Sequence, residues 1–268
     1  MNRNIVLGVL LTLFSIIICS SNLYPNHLVY AHNFSITDDS ALLTLIEQIK
    51  VETELVNQYT LANNSISANE HAKNAANLTN GLNDKLRQNR VVDITQAYTN
   101  GLYNSTTLAL VVANLVDEIL RNYGSAYGIT YDLTNMSNMM AIMSNNNSNN
   151  SNNSSSPIDM RIDAGNTSIS SHGGHAIMPE KNNAVLVNVY NYQTAQVLSN
   201  VVNKLFNDKL SAQASVNEKV TIDNLEQNIK DLKYAIDNKL RAEALMEIVH
   251  MKIHPALQSV YDLKLIVR

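Results

Sequence analysis

The chain has 268 residues, a formal net charge of −4 and charged side chains at only 16% of its positions. This length suffices for one large domain with an apolar core, and the slight negative charge argues against a nucleic-acid-binding protein, which would carry a basic patch. Asparagine is abundant in place of charged residues, at 39 positions, and the single cysteine is Cys19.

The first 31 residues predict a secretory signal peptide. Arg3 precedes an apolar run over 5–19, and Val29 and Ala31 occupy the −3 and −1 positions of a cleavage site. An uncleaved anchor is the alternative, although its apolar run is shorter than the ~20 residues that span a bilayer. Contact with a membrane is expected only through this segment, if it is retained. Cleavage would leave 32–268 without a cysteine, so the protein would depend on its core or on a metal for stability.

Helical spacing of apolar residues dominates the rest of the chain. The spans 32–156 and 180–254 contain no proline, the strongest helix breaker, since the four prolines lie at 25, 157, 179 and 255. The periodicity predicts helices over about 38–62, 67–88, 92–123, 130–143, 185–211 and 221–265. No segment has sustained strand alternation. The predicted fold class is all-α, an antiparallel bundle of four or more long helices.

Two of these helices carry more specific predictions. In the first, the residues expected to face the core are Leu42, Ile46, Ile49 and Val56. In the second, Ser67 and Glu70 form a capping-box pattern at the expected start, and His71 falls on the predicted inner face. An inward histidine of this kind is more often a hydrogen-bonded core residue than a metal ligand.

An asparagine- and serine-rich segment separates the two groups of helices. Residues 144–156 are exclusively Asn and Ser until Pro157, and three glycines follow before 183. Such a composition cannot bury enough apolar surface to offset its ordering entropy, so 144–183 is predicted to be a disordered linker. The helices of 32–143 and 184–268 are expected to pack together as one bundle domain.

Asparagines in Asn-x-Ser/Thr frames suggest N-glycosylation. There are ten such sequons, at Asn33, Asn63, Asn77, Asn104, Asn135, Asn146, Asn149, Asn152, Asn153 and Asn166. A composition this rich in Asn and Ser produces some sequons by chance, so compositional drift and selected glycosylation both stay open. All ten precede residue 167, so a glycan coat would cover the first half of the chain.

The last predicted helix carries a stripe of titratable residues. Its apolar face, over 222–240, continues as Glu243, Glu247, His250 and His254. The Glu-x-x-His and i, i+4 histidine spacings put ligand atoms on one side of a helix, where copper or zinc could bind.

Further ligands would have to come from elsewhere, and His71 and His32, the first residue after cleavage, are the candidates. The alternative is that the stripe faces solvent, because a second apolar face begins at Leu245. Pro255 is expected to kink or end the helix just after His254.

Several segments together resemble a known family. The presumed mature start Ala31-His32-Asn33-Phe34, the acidic helix opening at Asp38-Asp39-Ser40 and the C-terminal His250-Met251-Lys252-Ile253-His254-Pro255 are similar to secreted proteins of ammonia-oxidising archaea. The resemblance extends through most of the mature chain, including the linker. Members are uncharacterised surface or extracellular proteins, so the resemblance implies a location and an archaeal origin but no reaction.

The sequence contains none of the common motifs of enzymatic activity. A nucleophile elbow, a phosphate-binding glycine loop and a paired-carboxylate pattern are all missing from the sequence, which favours a protein that is not an enzyme. The sequence predicts a secreted helical structural or interaction module, with a surface-layer or other extracellular protein as its partner. The alternative is an extracellular copper- or zinc-binding protein that uses the Glu/His stripe.

Overall fold

The computed structural model describes residues 34–86, 103–135 and 184–264. Within these ranges the chain is helical and has no β-strand, which confirms the predicted all-α class. The signal segment, the linker over 144–183 and His32 lie outside the described residues. The described α-helices are α1 (Asp38–Leu61), α2 (Ser65–Leu86), α3 (Ser105–Ala126), α4 (Val189–Leu205), α5 (Lys219–Asp237), α6 (Ala242–Glu247) and α7 (His254–Tyr261).

Non-α helical turns extend two of these helices. A π-helical turn, Phe206–Leu210, follows α4 directly and leads into a 3₁₀ turn at Ser211–Gln213, while a second 3₁₀ turn, Val216–Glu218, precedes α5. A second π-helical turn, Ile248–Ile253, joins α6 to α7. This second turn positions the two histidines of the C-terminal stripe.

Side-chain caps set the start of the first two helices. Thr37 and Ser40 form a capping box on α1, in which the backbone N–H of each donates to the side-chain oxygen of the other at 3.1 Å. In α2 the Asn64 side chain accepts from the Ser67 N–H at 3.1 Å. The predicted capping box at Ser67 is therefore wrong, because the turn places Asn64 in the cap position and α2 begins at Ser65.

The third helix begins later than predicted. Asn104 has an extended backbone, and its Oδ1 accepts from the Thr107 N–H at 2.8 Å. A continuous helix from 92 is therefore wrong, since the N-cap interrupts it. At the other end the helix passes through Gly124, and Gly128, with φ +67°, lies in the turn that follows.

The fourth predicted helix is wrong over 130–135, and its remainder lies outside the described residues. Asp132 Oδ1 accepts from both the backbone N–H and the hydroxyl of Thr134, at 2.9 and 2.8 Å, so these residues form a turn. Leu133 folds back onto α3, where a Cβ at Gly124 would lie 3.1 Å from its Cδ1. The absence of a side chain at Gly124 thus lets the turn pack closely.

The last predicted helix is also broken, between α5 and α6. Lys239 is left-handed, with φ +54°, and the backbone N–H of Leu240 donates to the Ala235 carbonyl at 2.9 Å. This is a Schellman C-cap with a lysine at the left-handed position instead of the usual glycine. The Tyr123 hydroxyl donates to the Leu240 carbonyl, which anchors the break to α3.

Contacts between helices establish the bundle. α3 lies at the centre and packs against α1, α4, α6 and α7. The Val187 N–H donates to the Ala126 carbonyl at 2.8 Å, so α4 starts where α3 ends and runs antiparallel to it. The Thr106 hydroxyl donates to the Tyr261 carbonyl at 3.2 Å, which places the end of α7 beside the start of α3. The predicted antiparallel packing of consecutive helices is thus seen for α3 against α4.

Burial along the helices confirms one predicted face and corrects another. The apolar face predicted over 222–240 is buried throughout. Its residues are Ile222, Leu225, Ile229, Leu232 and Ile236 on α5, and Leu240 just after α5. On α1 only Leu42 of the four predicted core residues is fully buried. Glu47, Gln48 and Glu52 are buried instead, so part of the inner face of α1 is polar. No helix in the described ranges is both long and apolar enough to cross a membrane.

Candidate functional site

The two C-terminal histidines point into the protein. His250 lies in the π-helical turn and is buried, and its Nε2 is 2.8 Å from the Leu133 carbonyl oxygen. His254 is the first residue of α7, its side chain is 12% exposed, and its ring centroid lies 5.4 Å from that of His250. Phe34 packs edge-on against His254, at 5.4 Å between ring centroids.

The acidic members of the stripe do not join these histidines. Glu243 pairs with Arg241 at 3.4 Å, and Glu247 pairs with Lys252 at 3.8 Å, both with partly exposed side chains. A π-helical turn holds more residues than an α-helical turn, so each residue adds less rotation, and the i, i+3 relation of Glu247 and His250 no longer places them on one face. The structure thus divides the predicted stripe into two surface ion pairs and two inward histidines.

An aspartate from α3 faces the histidine pair. Asp117 is fully buried, and its Oδ1 lies 3.4 Å from His254 Nε2. Burial raises the pKa of Asp117 well above its usual value; the Arg121 charge opposes this, while Glu118 and Asp132 add to it. Burial lowers the pKa of His250, against the opposing effects of the Leu133 carbonyl and Asp132. At neutral pH His250 is therefore a neutral donor to the Leu133 carbonyl, which ties the π-helical turn to the loop after α3.

Metal ligation was predicted for His250, His254, Glu247, Glu243, His71 and His32. Across 34–86, 103–135 and 184–264, no three His, Cys, Asp or Glu side chains are grouped so that they could hold a metal ion. Of the five predicted ligands that the structure describes, only His250 and His254 lie together, and His250 already bonds to a backbone carbonyl through Nε2. Metal binding by these residues stays a prediction.

His71 belongs to a different cluster, formed where α1, α2 and α4 meet. Its Nδ1 lies 2.7 Å from Glu52 Oε2, and its Nε2 lies 3.0 Å from Gln193 Oε1. The second oxygen of Glu52 accepts from the Thr194 hydroxyl at 2.7 Å. His71 is fully buried and Glu52 nearly so. We call these four residues, Glu52, His71, Gln193 and Thr194, the α2 cluster.

Aromatic rings enclose the α2 cluster. Tyr59 stacks on the His71 ring at a centroid distance of 5.6 Å, and Tyr190 meets it edge-on at 5.9 Å. Burial lowers the pKa of His71, but the hydrogen bonds to Glu52 and Gln193 and the charges of Glu52 and Glu70 raise it, and the net shift is upward. The cluster therefore favours a charged imidazolium inside the protein.

Sequence reasoning identified His71 but not its partners. Glu52 lies in the sequence between Val51 and Leu55, and all three are buried, so a carboxylate among apolar neighbours was the signal for a buried ion pair. Gln193 and Thr194 carry no comparable signal, because their role depends on how α4 packs against α1.

The described sequon asparagines all lie at the surface. Asn63, Asn77, Asn104 and Asn135 are exposed, and the other six predicted sequons lie outside the described residues. Asn104 uses Oδ1 to cap α3, whereas an N-linked glycan attaches to Nδ2. Capping of α3 and glycosylation of Asn104 are thus chemically compatible.

Similarity to other proteins identifies no role for the histidine pair or for the α2 cluster. Comparison of the chain with protein families, with curated proteins and with solved structures gave no match. The resemblance to secreted archaeal proteins stays a prediction. Function must be inferred from the positions and chemistry of the chain's own side chains.

Proposed function

We propose that the chain is a secreted or cell-surface helical protein that acts as a structural or interaction module and not as an enzyme. The position of its polar groups carries this proposal. The polar groups of the α2 cluster and His250 bond to partners inside the protein, whereas the four described sequon asparagines face solvent. A protein of this design presents a glycosylatable surface on a stably bonded helical core.

The turn between α1 and α2 supports a surface role. Leu61 is 84% exposed and Ile66 70% exposed, and Asn63 lies between them in a left-handed conformation. A glycan on Asn63 would shield these two apolar side chains from nonspecific association. The signal segment supplies the route to the compartment where a glycan could be attached.

The proposal is tested by the intact mass of the protein that is recovered from outside the cells of its native host. We expect an N-terminus at His32, a mass above that of the bare 32–268 chain, and glycopeptides that include Asn63. Ser65→Ala removes this sequon and leaves Asn63 in place, so it should lower the mass by one glycan and leave the helical content unchanged. Recovery of the chain only inside the cell, or with the bare mass, would contradict the proposal.

A copper- or zinc-binding function is the second candidate, favoured by the close approach of the His250 and His254 rings. If the protein has only a structural role, the mature protein should keep less than one equivalent of metal after incubation with Cu(II) or Zn(II) and removal of the excess. Its Tm should not change. Stoichiometric metal that is lost in His250→Ala and His254→Ala, but kept in the surface variant Glu54→Ala, would favour the second function. His32→Ala separates binding at the N-terminus from binding at these residues.

A further inference from the structure

We propose that α2 is held to the bundle by a charge-dependent latch, the α2 cluster, and that α2 loosens as the pH rises. This inference goes beyond the proposed function and does not depend on it. It concerns a local opening of one helix, with the rest of the bundle intact.

The geometry of the latch requires two donors on one ring. Both nitrogens of His71 face oxygen acceptors, Glu52 Oε2 on α1 and Gln193 Oε1 on α4. Only the doubly protonated ring can donate to both. A neutral ring donates to only one of them, so loss of the proton ends the charge pair with Glu52, and the Gln193 amide must turn over to restore its own bond. Asn74 on α2 also donates to Glu52 Oε2, at 3.4 Å, and this bond does not depend on the charge of His71.

The attachment of α2 depends strongly on this residue. From Ser65 to Asn83, the only fully buried side chains are those of Ser67, Ala68 and His71. The apolar side chains that follow on the same face of α2, those of Ala75, Leu78 and Leu82, are only half-buried. α3, by contrast, is buried over most of its length. α2 lies along α1 over much of its length, but mostly through half-buried side chains, so the buried ion pair is its most enclosed contact with the bundle.

Charged and titratable groups reach His71 from each neighbouring helix. Glu52 and Tyr59 face it from α1, Glu70 from its own helix, and Tyr190 from α4. Glu70 is also paired with Lys73 at 2.6 Å, on the exposed side of α2. Burial raises the pKa of Tyr59, so this phenol stays neutral through the range in which His71 titrates.

The sign of the pH effect follows from the upward shift of the His71 pKa. The closed helix binds a proton more tightly than the open one, in which His71 has its ordinary pKa of 6.5. The stabilisation is therefore complete below that value and is lost as the pH rises through the raised value in the closed state. Between the two values the opening equilibrium constant should increase by up to about tenfold per pH unit.

Hydrogen exchange of amides, measured by mass spectrometry on the mature full-length protein, tests the latch. Rates are compared at about pH 6 and about pH 8.5 after correction for the intrinsic pH dependence of exchange, so that they report opening. We expect protection in α2 peptides to fall several-fold at the higher pH, while α3 and α5 peptides keep theirs. Equal protection of α2 at both pH values would overturn the proposal.

Substitutions distinguish the latch from general loosening. His71→Gln keeps a hydrogen-bonding side chain that cannot ionise, so the pH step in α2 should disappear, whereas His250→Gln, a matched buried control, should leave the step unchanged. Glu52→Gln removes the anion and should move the step to lower pH. If His71→Gln does not fold, NMR titration of labelled histidine in the unsubstituted protein decides, and a His71 that titrates at or below its ordinary pKa rejects the latch.

Discussion

Replacing Glu52 by alanine is expected to lower the free energy of unfolding by about 3–5 kcal/mol, the range found when one partner of a buried ion pair is removed. The carboxylate receives the His71 Nδ1–H and the Thr194 hydroxyl, both at 2.7 Å, and has almost no contact with solvent. Its removal leaves a buried imidazolium and a buried hydroxyl without their acceptor. Denaturation with urea at about pH 6, where the pair is fully formed, gives the free energy directly.

Glu54→Ala is the matched control for this measurement. Glu54 lies on the same helix, two residues away, and is exposed. We expect its substitution to change the free energy of unfolding by less than about 0.5 kcal/mol. If Glu52→Ala costs no more than Glu54→Ala, the α2 cluster does not hold the helices together.

The fold class could be predicted from periodicity, whereas helix ends could not. The predicted face over 222–240 has six apolar residues at regular spacing, five of them on α5, and all six are buried, because packing against the bundle removes an apolar stripe of that width from water. The break after α5 depends on Lys239 adopting a left-handed conformation that sequence patterns assign to glycine. The tertiary hydrogen bond from Tyr123 to the Leu240 carbonyl supports that break, and a single helix does not encode it.

For the candidate sites too, helical spacing predicted single residues but not the partners that tertiary packing brings to them. His71 was identified from helical spacing alone, because a histidine in register with apolar residues must face inward. Its partners come from α1 and α4, and one of them, Gln193, is 122 residues away along the chain. The Glu/His stripe does not form one face in the structure, because its spacing presumed a continuous α-helix. A helix break precedes Glu243, and a π-helical turn follows Glu247 and contains His250.

Truncating one buried side chain in the central helix, α3, should lower the free energy of unfolding as much as removing Glu52 does. Leu115 lies in the middle of α3 and has no exposed surface, and α3 packs against helices from both halves of the chain. Leu115→Ala would remove three methyl or methylene groups and leave a cavity that rigid neighbours cannot fill. We expect a loss of about 3–5 kcal/mol in the free energy of unfolding. Leu61→Ala makes the same chemical change at a side chain that is 84% exposed, and it should cost less than about 0.5 kcal/mol.

The two large substitutions should also differ in their dependence on pH, and this difference separates packing from electrostatics. The cost of Leu115→Ala arises from lost contacts, so it should be the same at about pH 6 and about pH 8.5. The cost of Glu52→Ala should shrink at the higher pH, because a smaller fraction of His71 is then charged and the ring needs the carboxylate less. Urea denaturation of both variants at both pH values measures this directly. Parallel pH profiles for the two variants would mean that α2 is held by packing alone, and the charge of His71 would have no part in it.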